Sequence, residues 1–258
     1  MTKVIFLGTG GGRMAVVKQI RRTGGFRIVS KSLDIHVDPG PGALVATHEA
    51  ELDPLELDCV LVTHNHVDHF SDAMVMIEGM THFTRKKRGI IIASKKSLTV
   101  SEEDEPGIHN YHQKLAQEVY VAKFKERKKF KTEKGEFEIE IIEMNHSEKS
   151  TFGFKLFVDG VVIGHITDTL YREEFEGHFL GCDLLIVNCI KPESDGFDAH
   201  ITSNDLIKLL PKIKPKKCVI THLGTKMVGD IAKNEAKRIQ KETKIKTISA
   251  EDFMEIEV

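Results

Sequence analysis

The chain has 258 residues, 40% of them hydrophobic, which is enough apolar side chain for a substantial core and a length suited to one large domain, residues 1–258. Lys and Arg number 37 against 39 Asp and Glu, and the formal charge of −2 gives no global cationic field toward nucleic acid or a membrane surface. Cys59, Cys182, Cys189 and Cys218 are scattered with no Cys-x-x-Cys pair, which argues against a zinc ribbon and a disulfide framework, and Cys59, Cys182 and Cys218, which open apolar runs, read as small buried hydrophobes.

In chain order, the first apolar run is Val4-Ile5-Phe6-Leu7, expected to be a strand with no basic leader or cleavage site ahead of it. A cytoplasmic protein is the expectation. The following Gly8-Thr9-Gly10-Gly11-Gly12 lacks both the Gly-x-Gly-x-x-Gly spacing and a Gly-Lys-Ser/Thr, so it is not read as a nucleotide loop. Further strands are expected at 28–37, 59–63, 89–93, 137–142, 151–158, 161–165, 184–187 and 218–221. Helices are expected at 68–83, 111–116, 203–210 and 228–242, where apolar residues recur at three- and four-residue spacing. The mixture predicts a layered α/β fold.

Asp159-Gly160 between two strand patterns predicts a tight hairpin, because both residues tolerate positive φ. Residues 95–135 are the least regular and read as loop and hairpin decoration, with an acidic loop at 101–107 and a basic run at 123–134. Phe124 and Phe130 interleave that basic run, which would suit a nucleic-acid backbone, but a solvated hairpin face is favoured. His109 and His112 in the same stretch are read as surface helix positions.

The chemistry is concentrated in His64-Asn65-His66-Val67-Asp68-His69, placed where an apolar strand gives way to a helix. Alternate positions of an extended segment project to one side, so His64 and His66 are placed to grip one ion. Asp68 and His69 then turn toward a neighbouring position. Imidazole nitrogens with a carboxylate oxygen form a mixed set suited to zinc, manganese or iron. The runs ending Val62-Thr63-His64 and Ile220-Thr221-His222 are alike, which hints at two similar halves each delivering a histidine from a strand's carboxyl end.

This motif resembles the His-x-His-x-Asp-His signature of the metallo-β-lactamase superfamily, and the other family positions follow in order as Asp38, His146, Asp168 and His222. The resemblance spans residues 1 to about 224 and implies a four-layer αββα sandwich with two divalent ions, zinc or manganese first and iron as the alternative. It implies His64, His66 and His146 on one ion and Asp68, His69 and His222 on the other, with Asp168 and a hydroxide between them. Asp38 would orient ligand imidazoles from behind.

The Phe6-Leu7-Gly8-Thr9-Gly10 opening and the His200-Ile201-Thr202 element are similar to the ribonuclease Z and phosphonate-pathway phosphodiesterase branch. That likeness implies a catalytic role for His200 as general acid, beside Asp68 at the ions. Asp38-Pro39-Gly40 departs from the branch's Asp-Cys-Gly, and no long basic tRNA-clamping arm is visible. The expected substrate is a small-molecule or nucleotide-derived phosphodiester, cyclic forms included, with nucleic acid less favoured and no membrane partner. A homo-oligomer is compatible with the sequence. The alternatives are a lactonase or thioesterase on the same metal site, and a non-catalytic binding module stabilised by metal.

Overall fold

The computed structural model describes residues 1–100, 105–196 and 199–258. Residues 101–104 of the expected acidic loop, and Asp198 ahead of His200, lie outside the described residues. The strands in chain order are β1 (Lys3–Gly8), β2 (Thr23–Val29), β3 (Asp34–Val37), β4 (Cys59–Val62), β5 (Ile90–Ala93), β6 (Glu118–Val121), β7 (Arg127–Lys131) and β8 (Glu136–Glu143). They continue as β9 (Phe152–Val158), β10 (Val161–Ile166), β11 (Leu184–Lys191), β12 (Ile201–Thr202), β13 (Lys217–Thr221), β14 (Lys246–Ser249) and β15 (Glu255–Glu257).

One sheet runs β15-β1-β2-β3-β4-β5-β6, and the other runs β14-β13-β11-β10-β9-β8-β7 with β12 alongside β11. Each is antiparallel at one end and parallel at the other. In the first sheet the parallel part begins at the β3–β4 pair, and in the second at the β10–β11 pair. Parallel strands are covered on both faces, which is why 59–62 and 218–221 read as unbroken apolar runs.

Alternation along those strands sorts side chains into layers. Cys59 and Leu61 enter a core shared by the two sheets, together with Phe154, Leu156, Ile186 and Val219. Val60 and Val62 face the other way, onto Ala73, Met76, Ile77 and Met80 of the helix Ala73–Met80. Across the molecule, Cys218 and Ile220 pack against Leu206, Leu209 and Leu210 of the helix Ser203–Ile213 and Ala232, Ala236 and Ile239 of the helix Ile231–Thr243. The layering is helix, sheet, sheet, helix, as the resemblance implied.

The Asp159-Gly160 turn is formed as read, with φ of 47° and 80° and Val158 paired to Val161. The run 28–37 is not one strand. A turn closed by Ser30 N–H donating to the Leu33 carbonyl at 2.8 Å separates β2 from β3, and β2 begins earlier than expected, at Thr23. The helix expected over 68–83 is also two, Val67–Phe70 and Ala73–Met80. Asp72 between them is used elsewhere: its N–H donates to the Pro39 carbonyl and its carboxylate accepts from Leu44 N–H, each at 3.0 Å.

Residues 95–135 do more than decorate, because they supply β6 to the edge of one sheet and β7 to the edge of the other. The basic face of β7 is paired: Arg127 with Glu138 at 2.7 Å, Lys128 with Glu118 at 2.8 Å and Lys129 with Glu136 at 2.5 Å, while Phe130 is buried. All four cysteines are buried and free, and burial pushes the Cys182 and Cys189 thiols up to about 12. Among the described residues no helix is long and apolar enough to cross a membrane.

Candidate metal centre

The polar residues expected to act together come from strand ends of both sheets and meet at one edge of the sandwich. His64 directly follows Thr63 at the end of β4, and His66 takes an extended conformation as the cap of the helix Val67–Phe70, which places Asp68 and His69 on its first turn. His146 follows β8, Asp168 follows β10, His222 follows β13 and His200 precedes β12.

Two local devices fix the imidazoles. Asp38 sits at φ 51° after β3, where its Oδ1 accepts from Thr63 N–H at 2.7 Å and its Oδ2 from Thr63 Oγ1–H at 2.8 Å and from His69 Nδ1 at 2.9 Å. This turns His69 Nε2 toward the cluster. His222 has φ 56°, and its ring lies where a Cβ on Gly11 would be, 2.1 Å from the ring atoms. The glycine loop after β1 therefore serves as a flat bed for a histidine.

Asp168 is the hub. Its Oδ2 lies 3.0 Å from His200 Nε2, 3.4 Å from His69 Nε2, 3.7 Å from His64 Nε2 and 3.8 Å from His146 Nε2, and its Oδ1 lies 3.4 Å from His222 Nε2. Asp68 Oδ2 stands 3.4 Å from His222 Nε2 and 3.7 Å from His69 Nε2. His66 Nδ1 approaches His64 Nε2 at 3.0 Å and His146 Nε2 at 3.3 Å.

Among the described residues, three groups of donor atoms come within 4.8 Å of one another: His64, His66, His146 and Asp168; Asp68, His69 and His222; and Asp168, His200 and His222. The first two bring together the residues that the resemblance assigned to each ion, with Asp168 in the first. The third brings His200 to the same carboxylate, so its position is compatible with a ligand as well as with an acid. His109 and His112 are absent from these groups; His112 Nε2 is occupied 3.2 Å from Glu78.

The donor chemistry fits cations. His69 Nε2 and both ring nitrogens of His222 are buried with no hydrogen-bond partner, an arrangement that costs free energy unless something electrophilic sits between them. Burial, reinforced by neighbouring imidazoles, holds His64 well below its ordinary value, and burial brings His146 down to about 4. Neutral imidazoles keep the lone pairs a metal needs. Burial would raise Asp168, but His222, His200 and His69 outweigh it and keep it ionised. Burial would lower His69 and His200, but carboxylates win at both: Asp38, Asp68 and Asp168 at His69, and Asp168 first at His200.

Sequence reasoning missed Asn188. It is buried within β11, and its Nδ2 donates to Asp168 Oδ1 at 2.8 Å and to Thr167 Oγ1 at 3.4 Å. A polar residue directly after the apolar run 184–187 was the available signal.

The β-lactamase superfamily domain matches residues 34–223. The uncharacterized protein MJ1374 of Methanocaldococcus jannaschii is 32% identical over 258 residues, covering 99% of this chain and 95% of that one. Among solved structures, the metallo-β-lactamase fold protein YhfI of Bacillus subtilis superposes with a TM-score of 0.76 at 18% identity, over 100% of this chain and 99% of that one. The short form of human tRNase Z superposes with a TM-score of 0.68 at 17% identity, over 99% of each chain.

Proposed function

Because this chain belongs to the β-lactamase superfamily and is a metal-dependent hydrolase of that fold, we propose that it is a cytoplasmic phosphodiesterase with two divalent ions, zinc or manganese. His64, His66 and His146 would hold one ion and Asp68, His69 and His222 the other, with Asp168 shared. When bound, such a pair supplies Lewis acidity and offsets the charge that builds on a phosphoryl group.

The chain's own residues then divide the work. Asp68 Oδ2, on the inner side of the cluster, accepts a hydrogen bond from the attacking water and aligns it. Asp38 keeps His69 in one orientation, and Asn188 does the same for Asp168. His200 holds a proton at Nε2 and passes it to the departing oxygen.

The position of His200 carries this reading. It is half-buried against His146 and His222, ring centroids 5.3 and 5.4 Å away, and the Asp168 carboxylate 3.0 Å from Nε2 favours its protonated form. A proton donor of this kind matters most for an alkoxide leaving group. That requirement favours a phosphodiester over a thioester, and tRNase Z among the structural relatives is by name an enzyme acting on RNA.

His200→Ala should lower turnover of an alkyl phosphodiester on the order of 10²–10⁴-fold and that of a nitrophenyl diester much less, with metal content unchanged. Loss of an ion would make His200 a ligand, and equal defects on both esters would remove its role as acid. Turnover of a lactone, thioester or β-lactam faster than any phosphodiester would move the protein to carboxyl chemistry.

A further inference from the structure

The histidines of the cluster are held in two ways. At three of them a protein oxygen fixes the ring nitrogen turned away from Asp168: Asp38 Oδ2 lies 2.9 Å from His69 Nδ1, Thr63 Oγ1 3.1 Å from His64 Nδ1 and the Ala199 carbonyl 3.2 Å from His146 Nδ1. His222 has no such brace, for among the described residues neither of its ring nitrogens meets a hydrogen-bond partner. Its orientation rests on its own backbone and on the surfaces its ring lies against, Gly11 and the rings of His69 and His200.

At φ 56° that backbone is left-handed, a conformation that a residue with a Cβ adopts at a cost and keeps only where its neighbours enforce it. The enforcement comes from the loop after β1. Leu223 N–H donates to the Thr9 carbonyl at 2.7 Å, and Gly11 N–H donates to the Leu223 carbonyl at 3.3 Å. Thr9 is fixed in turn by Asp252, whose Oδ1 accepts from Thr9 N–H at 2.9 Å and from Thr9 Oγ1–H at 2.7 Å. Asp252 Oδ2 accepts from Arg22 N–H at 2.9 Å, and the Arg22 carbonyl accepts from Gly10 N–H at 2.9 Å, so one carboxylate reaches the glycine loop by two routes.

Fastening the segment that carries Asp252 does not need this carboxylate. β15 is already paired with β1 from Lys3 to Ile5, Phe6 N–H donates to the Met254 carbonyl at 3.0 Å and Phe253 N–H to the Phe6 carbonyl at 2.7 Å. The turn that presents Asp252 also holds the bulky Phe253 in a left-handed conformation, φ 66°. We propose that Asp252 is the positioning residue for His222, setting the approach of its imidazole to a cation through Thr9 and the glycine loop. The proposal rests on the two-cation reading and adds to it a residue outside the family match at 34–223.

Zinc titration of the metal-free protein, read by competition with an indicator, should show two binding events in the parent. Asp252→Ala should weaken by about 10-fold the one that Asp68→Ala removes, and leave the ion of His64, His66 and His146 within about twofold of the parent. Asp252→Asn keeps an acceptor for Thr9 but loses the one for Arg22, and its effect should fall between. Glu255→Gln lies on the same segment, where the carboxylate pairs with Lys3 at the surface, and should change neither ion. Weakening of both ions alike by the Asp252 variants, or of neither, overturns the proposal.

Side-chain NMR of the metal-free protein gives a readout independent of the cations. In Asp252→Ala the His222 ring signals should shift and broaden while those of the buried His36 and His165 stay in place, a pattern that general loosening of the fold would not produce. His222 signals unchanged from the parent overturn the proposal. Uptake of a single zinc ion by the parent overturns the two-cation reading, and the ring signals then decide the clamp on His222 by themselves.

Discussion

The two sheets furnish the centre in different ways. The first delivers His64, His66, Asp68 and His69 within six consecutive residues from a single strand end, β4, with Asp38 bracing them from β3. The second delivers one residue at a time, His146 after β8, Asp168 after β10, Asn188 from within β11 and His222 after β13. A local motif needs only a strand and a turn to form. The dispersed set needs the whole parallel register of β10, β11 and β13, so its geometry is a product of tertiary packing.

The comparison is broken most severely at Asp168, the residue of the dispersed set that faces both halves. Asp168→Ala should lower phosphodiester turnover by more than about 10³-fold and reduce bound metal, because in the proposed centre it is the ligand common to both ions. Steady-state kinetics with elemental analysis checks this. A variant that keeps full metal and most activity would show that the two halves are independent.

Each sheet also buries one histidine outside the proposed ligand sets, His36 in β3 and His165 in β10, and burial brings both down to about 4. Both are disfavoured as cations in the folded state, whereas the unfolded chain takes up their protons near 6.5. Stability is therefore intact above pH 6.5 and is lost as pH falls through 6.5 toward 4, at about 1.4 kcal/mol per pH unit for each histidine. Denaturant unfolding of the metal-free protein across this window should show the slope, and His36→Gln and His165→Gln should each remove about one proton's share. A slope unaltered in both variants would refute the assignment.

The smallest effects should come from the two bracing residues, one per half. Asp38→Asn and Asn188→Leu should each cost about 10–100-fold in metal affinity, the usual range for a partner that orients a ligand. Competition against a metal indicator measures it. If only Asp38 matters, Asp168 is held by the cations themselves and not by Asn188.

The same contrast explains what was legible in the sequence. The motif at 64–69 is chemically conspicuous, and the hairpin at Asp159-Gly160 announces itself through turn residues. The layered fold followed from apolar runs that serve as doubly covered parallel strands. The break between β2 and β3 was hidden because Ser30-Lys31-Ser32 lies between two apolar runs without a Gly or Pro to mark it, and β2 starts in Thr23-Gly24-Gly25, a poor strand former. Asn188 is marked locally only as a polar residue after the apolar run 184–187, and its tie to Asp168 forms only where β10 and β11 pair. His200 was found only through its likeness to a branch of the family, and its place beside Asp168 depends on the loop ahead of β12.

The account turns on two cations, each held by residues from both sheets, so metal stoichiometry tests it most directly. Protein purified without chelator and incubated with zinc or manganese should carry close to two ions per chain by elemental analysis, since seven converging ligands exceed the four of one tetrahedral site. Asp68→Ala should lose one of them and leave the ion held by His64, His66 and His146. A reproducible value of one or fewer in the unaltered protein would contradict the two-ion centre.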